Sequence, residues 1–208
     1  MPLVLVLLLR YLKSLFGKCS GISFEDSTAL AVCHNRRISQ HKVFKQTAQR
    51  DKTSIGWFFG FKLHLVINDC GELLNVTVTT GNTDDRKPIS DLLRSVFGKV
   101  FGDKGCISQT LQEALLTQNI ELITRSRKNM KPGKIRPLSA TDQWLLKKRA
   151  IIETVIDQLK NISQVEHTRH CAPPGFLWNL TAALIAYCHQ PKKPSLKWPE
   201  QAPLTTTG

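Results

Sequence analysis

The sequence has no Cys-x-x-Cys pair and no group of Cys and His residues at the spacing of a zinc site. Its six cysteines are scattered along 208 residues. The neighbours His170-Cys171 and Cys188-His189 are adjacent in sequence, and adjacent residues on regular elements make poor joint ligands. This pattern argues against a zinc module or a disulfide framework, and free thiols are typical of a reducing cytoplasm.

Long apolar segments are also missing. The longest run, from Pro2 to Leu9, is much too short to span a bilayer, which takes about 20 residues. A secretory signal has basic residues before its apolar stretch, whereas here they follow it. We therefore expect no membrane partner, and we interpret residues 1–18 as a truncated lead-in that forms a buried helix.

Acidic residues are few: 16 Asp and Glu stand against 29 Lys and Arg, which gives a formal net charge of +13. Such an excess indicates a polyanionic partner, either nucleic acid or an anionic membrane surface. Charge alone does not distinguish the two.

The hydrophobic pattern predicts an α/β fold in one domain. Strands are predicted at 21–33, 56–68, 72–80, 99–105 and 120–124, where apolar and β-branched residues alternate or cluster. Helices are predicted at about 88–97, 107–119, 141–162 and 174–189. This order, an antiparallel opening followed by alternating helices and strands, favours a mixed five-stranded sheet flanked by helices. The Pro-rich tail, 191–208, is predicted to be disordered.

Two basic segments, 34–52 and 125–136, are predicted to be loops that contact phosphate groups. The cations proposed for DNA contact there are Arg36, Arg37, Lys42, Arg125, Arg127, Lys128 and Lys131. Two further residues on the strand at 56–68 have open interpretations. Lys62 either faces DNA or lies on a solvated sheet face, and Trp57 either stacks on an unpaired base or packs at the rim of the core.

The predicted helix at 141–162 carries Arg149, Glu153 and Lys160 on one narrow face. Its other side is an apolar stripe that should be buried, formed by Leu145, Ile152, Val155, Leu159 and Ile162. Taken alone, the charged face is explained by i,i+4 ion pairs on a solvated surface.

Three carboxylates give that face a second interpretation. Asp26 is predicted to end the first strand, Asp103 ends the fourth, and Glu153 lies on the long helix. If the first and fourth strands are neighbours, the two aspartates converge and a helix packed there can deliver Glu153. Three such groups repel one another unless a cation neutralises them, and oxygen ligands suit Mg²⁺ or Mn²⁺. Two such ions can activate a hydroxyl and stabilise the leaving oxygen of a phosphodiester.

The motifs "DST" at 26–28, "GDKG" at 102–105 and R-x3-E-x6-K at 149–160 resemble those of the DDE transposases of bacterial insertion sequences. The strings "HNRR", "GWFFGFKLHL" and "RAIIET" are similar to one subgroup. The resemblance implies a ribonuclease-H-like catalytic domain over 19–190. It also implies Mg²⁺- or Mn²⁺-dependent cleavage and strand transfer by Asp26, Asp103 and Glu153 as ligands of two ions.

By the same resemblance, Arg149, Lys160 and Lys104 become contacts to DNA. The expected partners are transposon ends and target DNA, bound by a homodimer or higher assembly. The expected location is the bacterial cytoplasm, in association with the nucleoid.

The chain also departs from the family pattern. Leu146 stands where the wider signature has Tyr, Glu25 replaces the usual apolar residue before the first Asp, and Cys106 replaces a common aromatic residue. Only 25 residues precede Asp26, where the family carries a DNA-end-binding region. Two alternatives therefore stay open: an inactive DNA-binding remnant, and a metal-dependent nuclease without strand transfer.

Overall fold

The computed structural model describes residues 2–103, 108–125, 137–166 and 172–198. Its strands are β1 (Ile22–Cys33), β2 (Gln49–Lys52), β3 (Trp57–Asn68), β4 (Leu73–Thr80), β5 (Gly98–Phe101) and β6 (Ile120–Ile123). Its helices are α1 (Pro2–Ser14), α2 (Ile89–Leu92), α3 (Gln109–Leu116), α4 (Ala140–Lys148), α5 (Ala150–Asn161) and α6 (Pro173–Cys188). A 3-10 helix, Asn35–Gln40, follows β1.

All six strands belong to one mixed sheet. β1 pairs with β3 in antiparallel orientation and with β5 in parallel orientation, and β6 follows β5 in parallel. The far edge of β3 pairs with both β2 and β4. The expected mixed sheet and the neighbouring positions of β1 and β5 are confirmed. β2 is an addition, since the segment 34–52 was predicted to be only a loop.

Helices cover both faces of the sheet. On one face, Phe24, Leu30, Leu63 and Leu65 are completely buried in a core that also takes Ile152, Val155 and Leu159 of α5 and several residues of α6. On the other face, Val66 and Val100 pack with α2 and α3. Alternating side chains on β1 and β3 thus face two different cores.

The N-terminal helix α1 is not buried as predicted. Most of its apolar residues are exposed, and among those described Leu12 alone is less than one tenth exposed. The most exposed, at 48–72%, are Leu3, Val4, Val6, Leu7 and Leu9. The helix contacts α6 on one narrow side, where the hydroxyl of Tyr11 lies 2.9 Å from His189 Nε2. No helix in the described part of the chain is long and apolar enough to cross a membrane.

The predicted helix at 141–162 is two helices separated at Arg149. The Ser139 side chain caps α4 by accepting from the Asp142 amide at 3.0 Å. Leu145, Ile152, Val155 and Leu159 are buried, as their spacing predicted. Ile162 lies just past the end of α5 and is 67% exposed, so its predicted burial is wrong.

The start of the C-terminal tail packs on the body of the protein. The Leu196 amide donates to the Asp69 carbonyl at 2.7 Å, and the rings of Trp198 and Trp144 are 5.4 Å apart. The disorder predicted for 191–208 therefore does not describe residues 191–198, and the rest lies outside the described residues.

Candidate active site

β1 supplies the first carboxylate of the site. Asp26 is paired with Leu65 of β3 and lies on the same sheet face as the buried Phe24, toward α5. Its side chain is 18% exposed, and one carboxylate oxygen accepts from the Ser27 amide at 2.9 Å. Asp26 is thus an acid at the margin of an apolar core.

The end of β5 supplies the second carboxylate. β5 runs parallel to β1, with Phe101 opposite Phe24, so both strands lead toward the same edge of the sheet. The Gly102 amide still donates to Ile123 of β6 at 3.0 Å, which extends the strand up to Asp103. The Asp103 side chain is 57% exposed.

The junction of α4 and α5 supplies the third carboxylate and a cation. Lys99 of β5 forms an ion pair with Asp142 at 2.6 Å, and this contact anchors α4 to the strand that carries Asp103. Burial of Ile152 and Val155 turns Glu153 away from the core, and its side chain is 59% exposed. Arg149 lies at the turn between the helices, one helical turn before Glu153.

The Arg149 guanidinium contacts all three carboxylates. Its Nη1 lies 3.1 Å from Asp26 Oδ2, and its Nη2 lies 3.7 Å from Asp103 Oδ1 and 3.2 Å from Glu153 Oε1. The contact with Glu153 is a hydrogen bond, whereas the contact with Asp26 is an ion pair without hydrogen-bond alignment. Arg149 therefore neutralises part of the charge that the three acids bring together.

Burial raises the pKa of Asp26 to about 6. The Arg149 guanidinium and the Ser27 amide oppose this shift, while Asp103 and Glu153 add to it because they carry like charge. The ionised form of Asp26 therefore depends on a positive charge nearby.

This shift predicts a pH dependence of stability in the metal-free protein. The folded-state pKa is above the ordinary value of 3.8, so folded protein binds the proton more tightly than unfolded protein does. The contribution of Asp26 is thus fully present below pH 3.8 and lost as the pH rises to about 6 and beyond. Relative to Asp26→Asn, wild type should lose about 2–3 kcal/mol between pH 4 and 7.

The measurement is the free energy of unfolding of both proteins in urea with EDTA, at a series of pH values. Asp157→Asn is the matched control, since Asp157 is an exposed acid on α5 whose carboxylate accepts a hydrogen bond from the side chain of its neighbour Asn161 at 2.6 Å. A difference between wild type and Asp26→Asn that stays constant with pH would show that Asp26 titrates normally.

A cleft of about 380 Å³ opens beside the carboxylates. It is lined by Gly102, Asp103, Arg125, Leu146, Lys147, Arg149, Ala150 and Glu153. Three of these residues are cations, so the cleft can receive an anionic group next to the acids. Lys147 was not among the predicted contacts. The one feature of the sequence that could have indicated a place for Lys147 in the cleft is that it lies two residues before Arg149.

Lys160 does not join this cluster. Its ammonium group donates to the Ala29 carbonyl at 2.8 Å and forms an ion pair with Glu166 at 2.8 Å. Glu166 in turn accepts from the Ala31 amide at 3.2 Å. Lys160 thus holds the end of α5 to β1, and its contact with DNA stays a prediction.

Lys62 lies on the opposite face of the sheet from Asp26. Its side chain is 12% exposed and its ammonium group contacts Asp51 at 3.0 Å and Asp85 at 3.2 Å. Burial alone would lower the pKa of Lys62, but the two aspartates outweigh burial and raise it. His64, on the same face, is fully buried and bonds Thr79 at 2.9 Å. Both interpretations of Lys62, a contact with DNA and a solvated sheet face, required an open surface. Neither Lys62 nor His64 lies on one.

We expect Lys62→Ala to destabilise the fold without changing DNA binding. The substitution leaves Asp51 and Asp85 without their shared cation, which should lower the free energy of unfolding by about 1–3 kcal/mol. Chemical denaturation and a salt titration of DNA affinity measure the two effects. A lower salt slope with unchanged stability would instead make Lys62 a phosphate contact.

The other predicted contacts fall into two groups. Arg36, Arg37 and Lys42 are exposed and lie beyond the far end of β1 from Asp26. Lys104, Arg127, Lys128 and Lys131 lie outside the described residues.

The three carboxylates of Asp26, Asp103 and Glu153 are chemically suited to bind a hard divalent cation. The donor set consists of carboxylate oxygens only, which is the ligand type preferred by Mg²⁺ and Mn²⁺. Within the described residues, however, no three His, Cys, Asp or Glu side chains form a group that would hold a metal ion. Because Arg149 contacts all three acids, an ion and the guanidinium would compete for the same oxygens.

The fold is thus a mixed sheet flanked by helices, in which β1 and β5 bring two acids next to the third at the start of α5. The sequence model described as the transposase DDE domain matches residues 16–173, well over half of the chain. The chain belongs to this family, and the resemblance found in its motifs is confirmed. No curated protein gives a sequence match.

Solved structures show the same fold. The piggyBac transposase, solved as a synaptic complex with hairpin DNA, has a TM-score of 0.56 and 12% identity. The match covers 82% of this chain and 46% of that one, so this chain spans less than half of the piggyBac protein. The likeness shows a ribonuclease-H-like fold.

Two further structures are less similar. One is the simian T-cell lymphotropic virus intasome in complex with the PP2A regulatory subunit B56 gamma, with a TM-score of 0.39, 14% identity and coverage of 92% and 61% of the two chains. The other is the Mos1 strand transfer complex, with a TM-score of 0.32, 12% identity and coverage of 88% and 57%.

Proposed function

We propose that this chain is the catalytic domain of an insertion-sequence transposase, over residues 19–190, and that it cleaves and joins DNA. The observation that carries the proposal is the convergence of Asp26, Asp103 and Glu153 on one guanidinium beside a basic cleft. The partners are transposon ends and target DNA, bound by a homodimer or higher assembly in the bacterial cytoplasm. Membership of the family supports the same activity.

In this proposal the three acids hold two Mg²⁺ or Mn²⁺ ions. When bound, the ions activate the attacking hydroxyl and stabilise the leaving oxygen. Asp26 comes from a central strand of the sheet, Asp103 directly follows β5 of the same sheet, and Glu153 comes from the first turn of α5, which packs on the sheet. Their positions are thus fixed before substrate arrives, which favours reaction at one phosphodiester.

The cations of the cleft orient the DNA strand. Arg125, Lys147 and Arg149 line the cleft and can bind phosphate oxygens, and the two guanidinium groups are capable of bidentate contacts. Arg149 has two successive roles in this scheme. It keeps the acids together before ions are present, and it contacts a phosphate group afterwards.

The test is the reversal of strand transfer on a branched DNA that carries a transposon end joined to target. The target strand's free 3′-hydroxyl attacks the phosphodiester at the junction, reseals the target, and releases the end with its own 3′-hydroxyl. The purified chain should carry this out in Mn²⁺ or Mg²⁺ and not in Ca²⁺ or EDTA. Tight binding of the branched DNA without reaction in any metal would favour the inactive remnant. Cutting without resealing would favour the nuclease.

A further inference from the structure

The hairpin formed by β2 and β3 presents apolar groups to solvent at a basic part of the surface. Ile55 at its tip is 98% exposed and Trp57 is 52% exposed. Two hydrogen bonds between Thr53 and Gly56, at 2.8 and 3.2 Å, close the turn and turn Ile55 outward. The apolar tip is therefore held out by a defined turn.

Trp57 is fixed in position by polar neighbours. The Arg50 guanidinium lies 4.7 Å from the centre of its ring and the Lys52 ammonium group lies at 6.0 Å. The Asn35 side chain donates to the Trp57 carbonyl at 2.6 Å, which ties the hairpin to the 3-10 helix. The indole thus remains about half exposed while two cations lie close to its ring.

The charge around Trp57 has one sign. Strand alternation puts Arg50 and Lys52 on the face of Trp57, while Asp51 points to the other face and pairs with Lys62 at 3.0 Å. Arg36 and Arg37 follow Asn35 on the 3-10 helix and are exposed. No salt bridge joins these four cations to an acid within the described ranges. We call Arg36, Arg37, Arg50, Lys52, Ile55 and Trp57 the hairpin surface.

The hairpin surface lies on the same sheet face as the candidate active site. Trp57 and Leu65 are eight residues apart on β3, an even number, and Leu65 is paired with Asp26. At about 3.3 Å per residue, Trp57 is roughly 26 Å from Asp26 along the strand. This is the length of about seven or eight base pairs of B-DNA.

The chemistry selects a nucleic acid with an exposed base. Cations attract phosphate groups, and an aromatic ring stacks on a base whatever its sequence. Bases of an intact duplex are covered by their neighbours, so an accessible indole can stack only on one that is unpaired. A protein partner fits less well, because cores of protein interfaces are depleted of charged residues.

We propose that Trp57 stacks on an unpaired DNA base about seven or eight base pairs from the phosphodiester held at Asp26. Arg36, Arg37, Arg50 and Lys52 bind the phosphates on either side, and Ile55 packs against the neighbouring sugar or base. The inference rests on the proposed function for the identity of the polymer, but it requires no catalysis.

The test compares two DNA probes in EDTA with the full chain. One is a duplex with a single unpaired 2-aminopurine, and the other is the fully paired duplex. Wild type should bind the first more tightly and quench its fluorescence by stacking. Trp57→Ala should weaken binding of the unpaired probe roughly five- to a hundred-fold, and leave the paired duplex within about twofold. Trp57→Phe should retain most of the affinity.

Phe97→Ala is the matched control, since Phe97 is 54% exposed just before β5, away from the hairpin. It should change neither affinity. The double variant Arg50→Ala/Lys52→Ala should weaken both probes and lower the salt slope by about two. Thermal unfolding of each variant checks the fold.

Equal losses on both probes in Trp57→Ala, or no loss on either, would overturn the inference. A change in oligomeric state without a change in DNA affinity would also overturn it, in favour of a protein contact. Because this binding assay is run without metal, a preference of Trp57 for the unpaired probe can be observed even if the protein does not reverse strand transfer. If Trp57 shows no such preference, the proposed joining activity is still tested independently by the strand-transfer reversal assay.

Discussion

Glu153→Gln is expected to slow the reversal of strand transfer on branched DNA, in which the target strand is joined again, by about a thousandfold or more. The substitution removes a charge from the three-carboxylate cluster and keeps the size of the side chain. Loss of a metal ligand removes several kcal/mol of transition-state stabilisation, and about 4 kcal/mol corresponds to a thousandfold in rate. The measurement is the single-turnover rate in Mn²⁺ at saturating protein.

Glu153 is the most informative of the three acids because its side chain is 59% exposed. Its replacement should change the free energy of unfolding by less than about 0.5 kcal/mol, so lost activity cannot be attributed to unfolding. Asp26→Asn and Asp103→Asn should abolish joining as well. In each variant, DNA affinity should remain within about twofold, since none of these acids contacts phosphate in the proposal.

Asp157→Asn is the control on the same helix. Asp157 lies one turn after Glu153, is exposed, and accepts from Asn161 at 2.6 Å. Joining should be unaffected by its loss. If instead Glu153→Gln joins as fast as wild type while Asp157→Asn does not, the third carboxylate has been assigned to the wrong residue.

Most of the sheet was predictable because its strands are half buried. In β3 and β4, apolar residues alternate along one core face, and the Asn68–Gly71 segment supplies the turn between them, with φ of 73° at Gly71. β2 has no such pattern. Its sequence QRDK is polar and none of its residues is buried, so its pairing with the edge of β3 left no hydrophobic signal.

The exposure of α1 was not predictable because its sequence is strongly apolar, whereas β2 was missed because its sequence is polar. The first part of this helix, Pro2–Leu9, is apolar on every side and so has no periodicity to indicate which side is buried. Composition therefore suggested burial, while the structure packs one side against α6 and leaves the remainder exposed.

The convergence of the acids followed from the pairing of the strands that carry Asp26 and Asp103 and from helix periodicity. Asp26 itself lies within β1 and not at its end, so that part of the prediction is wrong. The centre of the site, Arg149, was not predictable in this way. Helical spacing put Arg149 and Lys160 on one face as similar residues. The structure separates them because the helix is interrupted at Arg149 and because Lys160 pairs with Glu166, which lies beyond the helix. Periodicity within one helix contains no information about either contact.

Arg149→Ala is expected to strengthen divalent-metal binding in the absence of DNA. The guanidinium lies 3.1, 3.7 and 3.2 Å from the three acids, so an incoming ion must displace it from the oxygens that it needs. Removing that competing charge should tighten Mn²⁺ binding about tenfold or more, as measured by calorimetry or by the electron paramagnetic resonance of free Mn²⁺.

The same substitution should destabilise the metal-free protein. Asp26 is 18% exposed and would lose its cationic partner, which should lower the free energy of unfolding by about 2 kcal/mol at pH 7.5. Saturating Mn²⁺ should restore the loss, because the ion replaces the missing charge. Arg94→Ala is the control: Arg94 pairs with Asp91 on an exposed surface, and its loss should matter by less than about 0.5 kcal/mol.

Joining should nevertheless be slower in Arg149→Ala, even at saturating Mn²⁺, because the variant also lacks the proposed phosphate contact in the cleft. Tighter metal binding together with slower joining would separate the two roles of Arg149, as counter-ion of the acids and as ligand of the DNA strand. If Arg149→Ala bound Mn²⁺ more weakly than wild type, the guanidinium would be a support that the metal site requires. The competition inferred from its three ion pairs would then be wrong.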